Sequence, residues 1–421
     1  MVDSQGPIVI VGAGQAGMQV AESLRQEGFA GALILCGEEP HPPYQRPPLS
    51  KKWLTDAGAI SALALRGPAA IERLRISMKL ATRVRALDRV RRELELADGT
   101  RVPYARLALA TGSFPRMLPV PGATLSGVLA LRGIADSLAI GAAIRRCAAE
   151  GHPLVVVGGG FIGLEVAAGA RKLGAEVTVL EGLPRLMSRV TAPVVSEAFS
   201  RLHRGHGVQL VFDAQVSEIV GVEGHVAAVR TEDGREYPCG CVVIGIGVLA
   251  DDLLAQSAGL LCDRGIIVDE CSRTSDPLIV AAGDCTARRV GEELLRLESV
   301  QNAVEQGKSA AAALMGRERP FISTPWFWSD QYDVKLQMAG LSSGYDHVVT
   351  RGDLAKPAFS AFYYRGNRLL AVDSLNRISD HMQSKRLLDR GLSPTPEQAA
   401  DLHFELPSLL KGPREATADE A

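Results

Sequence analysis

Two stretches of this chain follow one plan. Residues 7–24 read PIVIVGAGQAGMQVAESL and residues 154–168 read LVVVGGGFIGLEVAA. Each opens on an apolar, β-branched run that suits a buried strand, turns through closely spaced glycines and continues with helical periodicity. In GAGQAG, Gly12, Gly14 and Gly17 have the GxGxxG spacing, and in GGGFIG, Gly158, Gly160 and Gly163 repeat it. The first glycine permits a tight turn, the second lets a pyrophosphate approach the backbone, and the third lets helix and strand pack closely. The helix N-terminus then offers unpaired N–H groups and a partial positive charge to the phosphates. A lone GxGxxG is weak evidence, because such turns also serve packing alone. Here the context is complete twice, with a strand before, a helix after and an acid ending the next strand. Those acids are Glu38, at the end of ALILCGE, and Glu181, at the end of EVTVLE, both placed to meet ribose hydroxyls. One turn holds one dinucleotide, so two are expected.

Two dinucleotides in one chain suggest hydride passing between them, and the usual pair is a tightly held flavin with a visiting nicotinamide. The first turn is assigned FAD and the second NADH. A carboxylate at Glu181 repels a 2′-phosphate, which favours NADH over NADPH, although Arg185 lies close enough in sequence to complicate that preference.

The strand–turn–helix–strand units require parallel pairing, and hence an α/β architecture. Each half also carries an Asp-Gly hairpin signal, in VRRELELADGTRVPYARLALATGS and in VRTEDGREYPCGCVVIGIG. The helices are expected to end near Gly28 and near Leu173, with Gly174 as a cap. Residues 40–51, PHPPYQRPPLSK, are too proline-rich for a helix interior or central strand and form a shaped loop. From PWFWSDQY onward, at 325–332, strand alternation and then a helix near 378–390 predict a smaller α+β region.

A chain of 421 residues is too long for one ordinary core, so two or three domains are expected. A formal net charge of -2 gives no electrostatic case for nucleic acid or an anionic membrane surface. No apolar run approaches the ~20 residues of a membrane helix. The N-terminal segment lacks a basic leader region, and the tail KGPREATADEA is polar and expected to fray. Seven cysteines, with no paired CxxC set, fit neither a disulfide scaffold nor a zinc or iron–sulfur site, and suit a reducing, cytoplasmic compartment. Cys239 and Cys241 alternate as on a strand. His203 and His206 have a spacing that hints at metal, but no third ligand is near in sequence, so a surface or structural role is expected and no metal site.

Taken with GAGQAG, the motifs RPPLSK, LATG, GGGFIGLEVAA, TSDPLIVAAGDC, ESVQNA and PWFWSDQY give a resemblance over nearly the whole chain. The chain resembles the FAD-dependent NADH:ferredoxin reductases of bacterial oxygenase systems. That resemblance implies a glutathione-reductase-like fold: two Rossmann-type dinucleotide-binding domains plus a C-terminal α+β domain. It divides the chain into a discontinuous FAD-binding domain, 1–112 and 247–323, an NAD-binding domain, 113–246, and a C-terminal domain, 324–421.

The resemblance also implies residue roles. Asp284 falls at the ribityl chain of FAD, Thr111 and Gly112 near the FAD domain's crossover, and Pro48 and Lys51 against the isoalloxazine, with Lys51 near N5. Glu165 reaches the nicotinamide end and pairs with Lys51. Val300 offers backbone to the pyrimidine ring of the flavin at a helix N-terminus. Ala16, Val84 and Arg132 join the FAD contacts; Phe161, Ile162 and Gly247 join the NAD contacts. Trp328 sits between the flavin and the surface. The plainer readings are a solvated loop lysine for Lys51, a helix-surface carboxylate for Glu165 and packing alone for Trp328. The implied acceptor is a [2Fe–2S] ferredoxin feeding a cytochrome P450 or a Rieske-type oxygenase, with the reductase a monomer or weak dimer.

Related flavoenzymes lack their marks here. A disulfide reductase needs a cysteine pair near the flavin, and the corresponding segment reads RPPLSKKWL. A single-cysteine peroxidase or oxidase needs one reactive thiol there, whereas Cys36 lies in the strand before Glu38 and is expected to be inert. A rubredoxin reductase stays open, because no motif names the acceptor. A regulatory flavoprotein resembling apoptosis-inducing factor would call for a strongly basic face or long insertions.

Overall fold

The computed structural model describes residues 6–290 and 293–411. Beyond Lys411, the polar tail lies outside the described residues, as does the segment before Gly6.

Two five-stranded parallel sheets carry the glycine turns, and their strand orders match. In the first, Ile8–Val11 is central, with Leu33–Cys36 and then Ser77–Lys79 on one side and Arg106–Leu109 and then Ile279–Ala281 on the other. In the second, Leu154–Val157 is central, with Val177–Leu180 and Gln209–Val211 on one side and Cys241–Ile244 and Val128–Ala130 on the other. The first sheet takes strands from both sides of the second in sequence. The chain therefore crosses out and back, and Ser113–Pro115 pairs antiparallel with Val248–Ala250 at that crossing.

Every residue of both central strands is buried. Both faces of each sheet are covered, so the apolar runs are continuous rather than alternating. Ile8 and Ile10 pack against helices Gln15–Gln26 and Val300–Leu314, while Val9 and Val11 face a separate core. Both Asp-Gly hairpins form, Glu93–Leu96 with Arg101–Pro103 and His225–Thr231 with Glu236–Pro238. Both acid-bearing strands stop short of expectation: Leu33–Cys36 ends two residues before Glu38, and Val177–Leu180 ends one residue before Glu181. The helix Phe161–Lys172 is capped at Leu173, with Gly174 one residue beyond. Cys239 precedes the strand that begins at Cys241; both thiols are buried and desolvation pushes each up to about 12.

The C-terminal region is a five-stranded antiparallel sheet in the order Trp326–Gln331, Val334–Gly340, Arg368–Leu375, Ala358–Arg365, His347–Asp353. Helix Ile378–Asp389 covers one face. The other face packs on the second parallel unit: Leu336, Phe359 and Tyr363 share a core with Leu164, Leu186 and Phe199. Within this seam the Tyr363 hydroxyl accepts from Ala192 N–H at 2.8 Å and donates to Asp373.

Asp373 is 2% exposed, and burial pushes its carboxyl up to about 7, opposed only by the Tyr363 hydroxyl. Its folded pKa thus lies above the ordinary carboxylate range. Between about pH 4 and pH 7 the unfolded chain loses this proton first, so rising pH erodes stability across that window. Asp373→Asn is expected to match the wild type in thermal midpoint at about pH 4 and to exceed it by roughly a few degrees at pH 8. Differential scanning fluorimetry at the two pH values checks this; equal midpoints at pH 8 would show that Asp373 titrates normally.

Candidate active site at the meeting of the two glycine turns

Both turns open into one continuous cavity of about 2090 Å³. That is about twice the upper end of the ~300–1,000 Å³ usual for one small-molecule pocket. Its wall includes Gly12, Gly14, Ala16, Glu38, Val84, Thr111, Gly112, Asp284 and Val300 from the first unit, Gly158, Gly160, Phe161, Ile162 and Glu181 from the second, and Arg132 and Gly247 beside the segments that join the two.

The glycines divide as their spacing requires. Gly12 and Gly158 adopt φ of +114° and +107°, and a Cβ on either would meet a carbonyl oxygen, Ala110 O at 2.0 Å or Gly245 O at 2.5 Å. Gly17 and Gly163 stand behind the cavity, where a Cβ would lie 1.9 Å and 2.2 Å from Gly12 O and Gly158 O. A Cβ at Gly14 would meet nothing within 4 Å, and one at Gly160 only Gly245 O at 3.9 Å. At these middle positions the backbone is bare toward the cavity, as a pyrophosphate cradle demands. The residues present therefore fit two dinucleotides.

The two acids differ in their surroundings. Glu38 is exposed at the cavity wall and lies 3.5 Å from Arg83. Its neighbour Glu39 is bound to Arg46 and to the Tyr44 hydroxyl, which leaves Glu38 the carboxylate available to a ribose. Glu181 accepts from Gly159 N–H at 2.6 Å and Leu183 N–H at 2.9 Å. Arg185 is directed away from it: its guanidinium donates to Thr191 O, Ser188 O and the Ser196 hydroxyl. The complication to NADH preference is thus removed by geometry.

Around Asp284 the fold is locked from below. Ser113 donates to Asp284 at 3.2 Å, and Arg132 stands 3.9 Å away. Gln306 Oε1 accepts from Gly283 N–H, Thr286 and Asn302 at 2.8, 3.0 and 3.1 Å, fixing the turn that presents Asp284. Val300 is the first residue of its helix, capped by Ser299, whose hydroxyl accepts from Asn302 N–H at 3.1 Å. The free N–H groups of that helix therefore begin at the cavity wall. Thr111 donates to Asp251 O, tying the crossover together.

The pair expected at the centre forms. Lys51 Nζ lies 2.9 Å from Glu165 Oε2, with side chains 17% and 4% exposed. Both plain readings, a solvated lysine and a surface carboxylate, are excluded by that burial. Two further residues, missed in the sequence, complete the shell: Ser50 donates to the same carboxylate oxygen, and Ser329 donates to Oε1 at 2.6 Å. Ser50 stood inside RPPLSK and Ser329 inside PWFWSDQY, so the signal was motif membership.

A smaller cavity of about 660 Å³ adjoins the first. Gln15, Pro47, Lys51, Glu165, Val300 and Trp328 line both, so they form the partition between them. Pro48 lies on the smaller side alone. Trp328 packs against Trp326 with ring centroids 5.5 Å apart. Cys36 touches the large cavity, but it is 1% exposed and burial pushes its thiol up to about 11, so it is inert. His203 is fully buried rather than on the surface. Among the described residues no three His, Cys, Asp or Glu side chains converge as a metal site requires, and no helix is long and apolar enough to cross a membrane.

Residues 6–307 match the family model described as pyridine nucleotide-disulphide oxidoreductase, and residues 326–410 match one described as reductase C-terminal. The chain is 45% identical over 415 residues to rhodocoxin reductase of Rhodococcus erythropolis, spanning 98% of this chain and 96% of that protein. It is similar to the crystal structure of the ferredoxin reductase for the CYP199A2 system from Rhodopseudomonas palustris, with a TM-score of 0.91, 43% identity and coverage of 96% and 99%. It is equally similar to putidaredoxin reductase in a covalent complex with putidaredoxin, with a TM-score of 0.91, 41% identity and coverage of 96% and 98%. With its two parallel units, its C-terminal sheet and its central Lys51–Glu165 pair, the chain belongs to the family of FAD-dependent NADH:ferredoxin reductases that includes putidaredoxin reductase.

Proposed function

We propose that this protein carries electrons from NADH through FAD to a [2Fe–2S] ferredoxin, which supplies a cytochrome P450 or a Rieske-type oxygenase. The observation that carries the reading is the single cavity served by both glycine turns, with Lys51 and Glu165 where they meet. The proposed domain limits are 1–112 with 247–323 for FAD, 113–246 for NAD and 324–421 for the C-terminal domain.

FAD, when bound, supplies the exchange between a two-electron hydride donor and one-electron acceptors. The chain supplies position and charge. Gly12, Gly14 and Ala16 hold the pyrophosphate of FAD, Glu38 its adenosine ribose and Asp284 its ribityl chain. Gly158, Gly160, Phe161 and Ile162 receive the pyrophosphate of NADH, and Glu181 its ribose. Lys51 places a cation at the centre, which favours negative charge developing on a neighbouring ring. The N-terminus of helix Val300–Leu314 adds positive potential from a second direction.

Glu181→Ala removes the carboxylate that would otherwise repel a 2′-phosphate. The ratio of kcat/KM for NADH to that for NADPH is expected to fall by about tenfold or more, the size of one charge-assisted hydrogen bond. Both nucleotides use the same turn, so the ratio isolates the ribose contact. An unchanged ratio would assign Glu181 to holding Gly159 and Leu183 alone.

Trp328 stands in the partition, on the proposed electron route to the acceptor. Trp328→Ala is expected to slow reduction of a [2Fe–2S] ferredoxin by about tenfold or more while changing flavin reduction by NADH by less than about twofold. Stopped-flow measurement of the two half-reactions tests this, with a rubredoxin as the comparison acceptor. Equal losses in both half-reactions would remove Trp328 from the route, and faster transfer to rubredoxin than to any ferredoxin would replace the acceptor.

A further inference from the structure

Strand Trp326–Gln331 meets the second nucleotide unit through every other side chain. Phe327 packs on Phe161 with ring centroids 4.7 Å apart, Ser329 donates to Glu165, and Gln331 meets His203. Strand alternation puts these three on one face and leaves Trp328 on the other. Ser329, Gln331 and His203 are each 0% exposed.

The hydrogen bonds run in one direction. An ionised Glu165 only accepts, so the Ser329 hydroxyl must donate to it, at 2.6 Å. The Ser329 oxygen is then an acceptor, and it receives Gln331 Nε2–H at 3.1 Å. That fixes the Gln331 amide with Oε1 toward His203, so His203 Nε2 carries the hydrogen and donates across 2.8 Å. A neutral ring is consistent with this, since burial pulls the His203 pKa down to about 4. Its Nδ1 is buried with no partner among the described residues. A phenylalanine or leucine would fill this site without that unsatisfied nitrogen, so packing alone does not account for a histidine. Every donor in the chain points at Glu165, and hydrogen bonds in series polarise one another. An amide interrupts proton transfer, so the chain is suited to orientation rather than to conduction.

We propose that Ser329, Gln331 and His203 are positioning residues for the reaction with NADH: an oriented hydrogen-bond chain from the C-terminal sheet and the second nucleotide unit that fixes the Glu165 carboxylate, and through it Lys51, in one arrangement at the centre of the site. The proposal rests on the reductase reading and deepens it. It also explains why the C-terminal sheet is fastened to the helix that follows the second glycine turn at the same residue that holds Lys51.

The test is a double-mutant cycle on flavin-loaded enzyme. Ser329→Ala is expected to slow anaerobic flavin reduction by NADH about tenfold. Reoxidation of the reduced enzyme by ferricyanide should change by less than about twofold, a split that general loosening of the fold would not produce. In a Glu165→Gln background the same substitution should slow flavin reduction by less than about twofold further, because it acts through the carboxylate. Additive slowing, or equal slowing of both half-reactions, would overturn the proposal. If Ser329→Ala does not retain flavin, Gln331→Leu replaces it in the cycle with the same expectations. Wild-type enzyme that NADH fails to reduce would instead defeat the reductase reading, so the two failures are distinguishable.

Discussion

Gly17→Val is expected to yield a colourless protein, and Gly163→Val a yellow one that NADH no longer bleaches. A Cβ at Gly17 would lie 1.9 Å from Gly12 O and 3.3 Å from Ile10 Cγ2, and one at Gly163 2.2 Å from Gly158 O. Neither overlap is with a flexible side-chain end, so each helix must move off its strand. At Gly17 that displaces the N–H groups assigned to FAD, and at Gly163 those assigned to NADH. A displacement of about 1 Å costs roughly 100-fold or more in a reaction that depends on position. Flavin content by absorbance and the rate of NADH reduction by stopped flow check the pair. Because the two units have separate parallel sheets, each lesion should stay in its own half. A Gly163→Val protein reduced at the wild-type rate, or one that has also lost its flavin, would show that the turns do not divide the two nucleotides as assigned.

The second large effect concerns the central pair. Lys51→Met leaves Glu165 as a carboxylate 4% exposed with only hydroxyl partners. Breaking a buried pair from one side typically costs about 3–5 kcal/mol, because the remaining charge is uncompensated. The variant is expected to lose stability by about that amount and to be reduced by NADH at least about tenfold more slowly. Lys51→Met combined with Glu165→Gln should recover most of the stability, since no charge is then stranded, and none of the rate. Chemical denaturation and anaerobic stopped flow separate the two terms. A double variant as fast as the wild type would restrict Lys51 to a structural role.

Much of this was legible in the sequence because the informative signals were local. Gly12 to Gly17 and Gly158 to Gly163 determine turn, cradle and packing within six residues of chain, and Asp98-Gly99 and Asp233-Gly234 mark their hairpins in the same way. The Lys51–Glu165 contact was expected through family resemblance, since nothing local links two residues 114 positions apart. What the sequence does not display is polar and long-range. Ser50 and Ser329 reach Glu165 across 115 and 164 positions, and Gln306 reaches Gly283 across 23. A serine or glutamine inside a strand or helix resembles any half-exposed polar residue until the tertiary fold shows that it is buried. His203 had a readable sign: it lies four residues after Phe199 and seven after Ser196, on the buried stripe of helix Pro193–Gly205. The strands before Glu38 and Glu181 both end earlier than expected, because an apolar run does not reveal where regular pairing stops.

Arg185 is a different case. Sequence distance placed it near Glu181, but of its three acceptors Ser188 O and Thr191 O belong to the segment that leads into helix Pro193–Gly205 and Ser196 Oγ to the first turn of that helix. Proximity along the chain therefore carried no information about charge at the ribose.

The proposed arrangement puts a flavin on the first glycine turn of the chain and NADH on the second. Its most direct test is the visible spectrum of the purified protein, recorded without oxygen before and after addition of NADH or, separately, NADPH. Oxidised flavin absorption is expected, bleaching rapidly with NADH and slowly with NADPH. Flavin that stays oxidised in the presence of NADH would contradict it, because the second turn would then not be a working nicotinamide site.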